Sequence, residues 1–312
     1  MEPLFSFIIP HKNTPELLQK CIDSIPRRED VQIIVVDDNS DTDKVDFEHF
    51  PGLDDPKVEV YLTKEGRGAG YARNVGLKHA VGKWLVFADA DDFFLPDLSV
   101  AMDEYRDTDW DIVFFKARSI ELHSGKPSNR EQHNNQAVDN ALRSNDFKLF
   151  YGLSTPWCKF VQKSLVDTYN ISFEEVRWSN DVVFSAKTIA YAKSITASPI
   201  QMYCISRSDK SLTSNMSIEC RECRFRESIK EMKLLRPMVR GNDEFHFWFY
   251  RNWYDVYTER HVSGIVFLPQ CLLYGGGIFM VNFLKMFFID EYNRSPHIKS
   301  IYQSIKRMKK GV

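Results

Sequence analysis

Three apolar runs end abruptly in polar clusters, and this pattern constrains the chain more than any other feature. Phe5–Pro10 runs into His11-Lys12-Asn13, Val31–Val36 into Asp37-Asp38-Asn39-Ser40, and Trp84–Ala88 into Asp89-Ala90-Asp91-Asp92. Continuous apolar runs of this length read as strands buried on both faces. Between them lie stretches at helical spacing: Leu17, Leu18, Cys21, Ile22 and Ile25 after Thr14-Pro15, then about Gly70 to Ala80. Val58–Leu62 and Ile112–Lys116 add two strands, and Pro96–Tyr105 another helix. Strands alternating with helices predict an α/β fold with a mostly parallel central sheet and helices on both faces. Such sheets bind ligands beyond the carboxyl ends of their strands, where these polar clusters gather.

The bulk numbers narrow the partners. Lysine and arginine number 41 against 43 acidic residues, a net charge of −2 over 312 residues. That balance gives no electrostatic case for a nucleic-acid partner. The start, MEPLFSFIIPHKN, has neither the basic region nor the long apolar stretch of a signal peptide, so a cytoplasmic location and reduced thiols are expected. Among six cysteines only Cys220 and Cys223 form a CxxC. With no second pair or spaced histidine, they read as two thiols one helical turn apart.

Asp89-Ala90-Asp91 has the chemistry of a cation site. Carboxylate oxygens suit Mg²⁺ or Mn²⁺, and a small residue between them leaves a ligand room to approach. Asp37 or Asp38 at its strand end can accept from a base imino group or a ribose hydroxyl, or can form an Asx-type turn with Asn39 and Ser40. The segment Gly66–Asn74, containing Gly68, Arg67 and Arg73, precedes a helix and offers cations to a diphosphate, or else serves as a flexible capping loop.

FSFIIPHKN, IIVVDDNSD and GAGYARNVGLKHAVGKWLVFADADDFFLPD, in this order and spacing, resemble the family-2 inverting glycosyltransferases of GT-A fold over residues 4–116. The resemblance implies donor contacts from Pro10, His11 and Asn13, a base contact from Asp38 with Asp37 beside it, and the Ala72-Arg73-Asn74-x-Gly76 helix start. It also implies metal and diphosphate binding at Asp89, Ala90 and Asp91. Where the family often has an aromatic residue in the first loop, this chain has His11 or Lys12. Trp178-Ser179-Asn180-Asp181 resembles the family's Glu-Asp segment, with Asn180 in place of Glu and Asp181 at the general base. A carboxylate at a helix head can also be a cap alone. Ser206–Thr213, with Arg207, resembles a stretch that closes over the diphosphate, or is a solvated basic turn. The resemblance further implies a nucleoside diphosphate sugar, UDP-linked by preference, and a glycan or lipid-linked acceptor of the cell-surface polysaccharide or lipopolysaccharide type. A nucleotidyltransferase and a non-catalytic sugar-nucleotide-binding protein are the competing classes. The first would need a glycine-rich basic loop directly after the first strand, which Pro10–Pro15 is not.

The expected division is a transferase domain over 1–215, with halves 1–116 and 117–215, followed by a helical extension over 216–312. Ser119–Asn145 is polar and reads as a loop or weak excursion, and Glu219–Leu235 as a charged helix. Val262–Ile289 is apolar but broken by Gly275-Gly276-Gly277, which favours packed helices over a membrane span. The basic tail Lys299–Lys310 suits peripheral contact with anionic lipid at the inner face of the membrane, and homo-oligomer formation stays open.

Overall fold

The computed structural model describes residues 2–208 and 217–239, with positions 249, 253 and 256. The aromatic block at 245–257 falls largely outside this set. The apolar stretch Val262–Ile289, the basic tail and Cys271 fall wholly outside it. Met1–Val239 forms one compact unit and Arg240–Val312 a second. The first unit therefore includes the helix at Ile218–Leu235, beyond the expected boundary at 215.

The strands are β1 (Phe5–His11), β2 (Val31–Asp38), β3 (Val58–Thr63), β4 (Trp84–Phe87), β5 (Phe93–Phe94), β6 (Ile112–Glu121), β7 (Lys159–Gln162) and β8 (Ile195–Arg207). They make one sheet in the order β3-β2-β1-β4-β7-β6-β8-β5. The first four pair in parallel, as the sequence predicts. Beyond β4 the sheet is mixed: β7 runs antiparallel to both β4 and β6, and β5 antiparallel to β8, while β6 and β8 are parallel. The expected mostly parallel sheet is present, four of its seven strand pairs being parallel, with the antiparallel pairs confined to the second half.

Side chains alternate across the sheet and build two cores. Phe5, Phe7, Ile9, Ile33 and Val35 pack beneath helices α1 (Pro15–Asp23) and α3 (Leu98–Tyr105). Ile8, Ile34, Val36 and Phe87 point the other way, toward α2 (Ala69–His79), α4 (Gln132–Ser144), α5 (Lys163–Thr168) and α6 (Val182–Tyr191). The last described helix, α7 (Ile218–Leu235), starts at Ser217, whose hydroxyl accepts the Cys220 N–H, and packs on α6. Cys220 and Cys223 are free thiols, Cys220 buried inside α7 and Cys223 donating to the Trp178 carbonyl at 3.3 Å.

The polar stretch 119–145 is not the loop expected of it. β6 continues to Glu121, and α4 occupies Gln132–Ser144. This helix buries only Asn134, Ala137, Val138 and Ala141, with the Asn134 amide donating to the Phe115 carbonyl at 2.8 Å. A buried face of small residues and one bonded asparagine leaves little hydrophobic signal.

Helix α2 lies close on β1 because Gly76 has no side chain: a Cβ there would stand 2.5 Å from Ile8 Cγ2, and Ile8 is fully buried. Gly76→Ala gains helix propensity of about 1 kcal/mol. Overpacking of a rigid core costs about 1–3 kcal/mol. The expected outcome is net destabilisation by up to about 2 kcal/mol, measured as a lower urea midpoint with unchanged slope.

Candidate active site

The carboxyl ends of β1, β2 and β4 converge on one rim, each with its own local bonding. At β1 and β2, His11 Nδ1 stands 2.7 Å from Asp37 Oδ1, both side chains being buried. Because His11 Nε2 accepts the Thr14 N–H at 3.1 Å, the proton of the neutral ring sits on Nδ1 and is donated to Asp37. Asp37 also accepts from the Ser40 N–H at 2.9 Å and the Ser40 hydroxyl at 2.5 Å. Burial works to raise the Asp37 pKa, but the His11 and Ser40 bonds outweigh it, and the carboxyl lies below its usual range. Asp37 is therefore the turn-builder. Asn13, at φ 61°, exchanges side-chain bonds with Asp41, and Pro10 pairs with Val36 inside the sheet.

Asp38 takes a different part. Its Oδ2 accepts the Gly68 N–H at 2.8 Å, while Oδ1 is buried with no hydrogen-bond partner. Lys12 Nζ donates to the Asp38 carbonyl at 2.8 Å. A buried carboxylate oxygen left unbonded is costly unless a ligand donor reaches it. Gly68 has φ 94°, a conformation that favours glycine, and forms the N-cap of α2. Arg67 is engaged by neighbouring side chains. It pairs with Glu175 and lies over the Tyr71 ring at 4.5 Å.

Arg73, on α2, is buried and joins two distant segments. Nη2 contacts Asp89 Oδ1 at 2.5 Å, and Nη1 donates to Asn180 Oδ1 at 2.8 Å. The loop carrying Asn180 reaches α2 because position 70 is glycine: a Cβ there would fall 2.1 Å from the Glu174 carbonyl oxygen and 2.9 Å from Asn180 Cβ. The sequence points to Arg73 as a diphosphate cation; its role in clamping Asn180 was not legible there.

Asp89, Asp91 and Asp92 each offer a carboxylate oxygen within 4.8 Å of the others. An all-oxygen donor set of this kind fits a hard divalent cation. Burial first, and the Asp89 charge second, push the Asp91 carboxyl up to about 6. Ala90 is buried between the two aspartates. Arg207, at the end of β8, pairs with Glu121 at 3.6 Å, and the stretch 209–216 that follows lies outside the described residues.

Asp181 is the N-cap residue of α6, yet its carboxylate makes no cap bond. The capping alternative therefore has no hydrogen bond to support it. Burial raises its pKa, and the Arg73 charge partly offsets the rise. Two further groups interact with its charge: Glu231, which the sequence does not mark, and Lys159, in the Trp157-Cys158-Lys159-Phe160 segment that resembles the stretch before the family's acceptor-side helix. Glu231, on α7, is pushed up to about 8 by burial and by the Asp181 charge. Lys159, on β7, is buried, sits 3.5 Å from Ser185 Oγ, and is pushed down to about 8 by burial, with Asp181 opposing. Glu231 carries no motif, because it lies on α7 and only the packing of α7 on α6 gives it this neighbour.

The glycosyl transferase family 2 profile matches residues 6–169, just over half of the chain. The chain belongs to that family. It is 23% identical over 211 residues to the glycosyltransferase EpsH of Bacillus subtilis, a match covering 64% of this chain and 60% of the relative. It is 26% identical over 202 residues to the poly(ribitol-phosphate) beta-N-acetylglucosaminyltransferase TarS of Staphylococcus aureus, covering 62% of this chain and 33% of TarS. These matches span less than two thirds of either relative's length. The fold aligns with S. aureus TarS 1–349 in complex with UDP-GlcNAc at TM-score 0.57 and 18% identity, covering 93% of this chain and 91% of that one. It also aligns with the mannosyltransferase PcManGT of Pyrobaculum calidifontis, in complex with GDP-Man and Mn²⁺, at TM-score 0.56 and 14% identity, covering 96% and 83%. The expected GT-A fold is present. Among the described residues no helix is long and apolar enough to cross a membrane.

Lys159 gives a stability test with a definite sign. Its folded pKa of about 8 lies below its ordinary 10.5, so between these values the unfolded chain binds more protons than the folded one. Stability contributed by this group therefore rises with pH across that window. Lys159→Met is expected to remove this contribution: the variant exceeds wild type in stability at pH 7, and its advantage shrinks as the pH rises toward 10.5, as measured by urea unfolding of both proteins from pH 7 to 10.5.

Proposed function

We propose that this chain transfers a sugar from a nucleoside diphosphate sugar, UDP-linked by preference, to a hydroxyl of a glycan or lipid-linked acceptor, with inversion. The observation that carries the reading is the Arg73 bridge, which places the Asp89–Asp92 turn beside the loop bearing Asp181. In this reading donor and acceptor chemistry face one another across the buried Arg73 guanidinium. The family membership supports the reaction class. The neighbours solved with UDP-GlcNAc and with GDP-Man and Mn²⁺ support a sugar-nucleotide donor and a metal on this fold.

In this reading the unpartnered Asp38 Oδ1 accepts from the base, with His11, Asn13 and Pro10 shaping the rim around it. Gly68 and the α2 N-terminus lie beneath the diphosphate, with Arg207 approaching it from β8. Asp89 and Asp91 would hold Mg²⁺ or Mn²⁺, which supplies positive charge against the leaving diphosphate. Asp181 takes the proton of the acceptor hydroxyl as that oxygen bonds to the anomeric carbon. The bond from that carbon to the diphosphate oxygen breaks with its electron pair on the diphosphate. A carboxylate whose pKa is raised by burial is a stronger base than one in water, and the Arg73 and Lys159 charges, which oppose the rise, favour the ionised form. A nucleotidyltransferase would need a glycine-rich loop bearing Arg and Lys directly after β1, and Pro10–Pro15 has no glycine and no arginine.

Asp181→Asn keeps shape and loses basicity, so turnover should fall by roughly 10²–10⁴-fold with donor affinity nearly unchanged. The assay is nucleotide release from a panel of sugar nucleotides, with Mn²⁺ and Mg²⁺ added separately. An α-linked donor should give a β-linked product by NMR, and EDTA should abolish transfer. Retained configuration, or wild-type turnover in the variant, would refute the assignment of the base.

A further inference from the structure

The Asp89–Asp92 turn is held from the far end of the domain. Tyr203, on β8, is fully buried, with its ring stacked on Trp157 at 5.8 Å and edge-on to Phe94 at 5.2 Å. Its hydroxyl accepts the Asp89 N–H at 3.0 Å and donates to Asp92 Oδ2 at 2.8 Å. The other Asp92 oxygen, Oδ1, accepts the Ser206 N–H at 2.7 Å. A hydroxyl that accepts from one turn residue and donates to another fixes the spacing between them. The strand register repeats the constraint, because Phe94 pairs with Tyr203 and Phe93 with Cys204.

This bonding divides the three carboxylates by role. Both oxygens of Asp92 are engaged, one by a phenol and one by a backbone amide. Asp89 has one oxygen on Arg73, and Asp91 takes no bond from another residue's side chain. Asp89 and Asp91 are thus the carboxylates with oxygens to spare, and Asp92 is the post to which their turn is tied. Cation ligands must be placed within a few tenths of an ångström, and groups that orient ligands typically contribute 10–100-fold to metal affinity.

We propose that Tyr203 is a positioning residue for the cation site: acting through Asp92 and the Asp89 amide, its hydroxyl presets the Asp89 and Asp91 carboxylates for a divalent cation. The inference rests on the reading of Asp89 and Asp91 as metal ligands. The same tie holds Ser206, so the end of β8, where Arg207 begins the approach to the diphosphate, is fastened to the metal turn. Removing the hydroxyl leaves the Asp89 N–H and Asp92 Oδ2 without their buried partner, and the turn relaxes toward other partners.

The test is Tyr203→Phe in the full-length chain, which keeps the ring and its packing. Mn²⁺ binding is read directly by EPR, with UDP present, and UDP affinity is measured separately in EDTA. The variant should bind Mn²⁺ about 10–100-fold more weakly, as orienting groups typically do, while UDP affinity in EDTA is unchanged. Nucleotide release should recover at saturating Mn²⁺. Asp92→Asn, which removes the charge at the post and leaves Tyr203 in place, should weaken Mn²⁺ binding in the same direction, and serves if the tyrosine variant does not fold. Wild-type Mn²⁺ affinity in the folded variants overturns the proposal, and so does a lowered melting temperature with unchanged Mn²⁺ affinity. If the wild-type chain itself binds no Mn²⁺ with UDP present, the metal reading fails first and this inference falls with it.

Discussion

A buried guanidinium between two loops is the constraint on which the rest of this site depends. Arg73 is almost fully enclosed, and a buried cation persists only where acceptors surround it. It has two, the Asp89 carboxylate and the Asn180 amide oxygen, the second 107 residues away in the chain. Every element that delivers these groups must therefore come to the same place. β4 must end at Asp89, α2 must enter beside it, and the loop before α6 must cross close enough for Gly70 to be required. Asn180 in place of the family's glutamate matters in this setting. A second carboxylate would put two anions on one arginine, whereas the amide accepts without charge and leaves Asp89 as the ion-pair partner of Arg73.

The acidic residues on the rim are sorted by what already occupies them. Asp37 is spent on His11 and Ser40, and Asp92 on Tyr203 and Ser206, so both build structure. Asp38 keeps one buried oxygen in reserve, and Asp181 makes no cap bond at the head of its helix. Hydrogen-bond accounting separates the adjacent pair Asp37-Asp38, and likewise Asp91-Asp92, where residue type cannot. The acids left open are those a ligand, a cation or an acceptor hydroxyl can satisfy.

How much of this was legible in the sequence follows from the range of each interaction. The strand ends were readable because a run such as Ile33–Val36, buried on both faces, has no polar alternation to blur it. The polar residues that follow such runs must lie at the rim. Gly68, Asp38 and the Asp89–Asp91 turn are local to those ends and were found with them. Helix α4 was missed because its buried face is Asn134, Ala137, Val138 and Ala141, residues too small or too polar to mark a period. The antiparallel insertion of β7 between β4 and β6 was missed for another reason: Lys159–Gln162 is too short to reveal its direction. Tyr203 and Glu231 carry no local signal at all. Each is an unremarkable member of its own strand or helix, and only the sheet order and the packing of α7 on α6 give it a neighbour in the site.

That contrast bears on how the second half of the domain works. The first half presents ligand groups directly from strand ends, so its chemistry travels with short motifs. The second half acts mainly by holding. Cys223 reaches the Trp178 carbonyl at 3.3 Å, and Lys230 bridges Glu174 at 2.6 Å and Glu227 at 2.9 Å, so α7 fastens both ends of the loop that carries Asn180. The exposed part of that lysine bridge is screened by water, and its value lies in geometry more than in stability. Because α7 lies past the matched family region, which ends at residue 169, the placement of Asp181 relies on contacts outside the most recognisable part of the chain. As the proposed base, Asp181 gains from such remote bracing. Asp181 stands at a helix head without a cap bond, and the charged groups that act on it from the second half are supplied by β7 and α7.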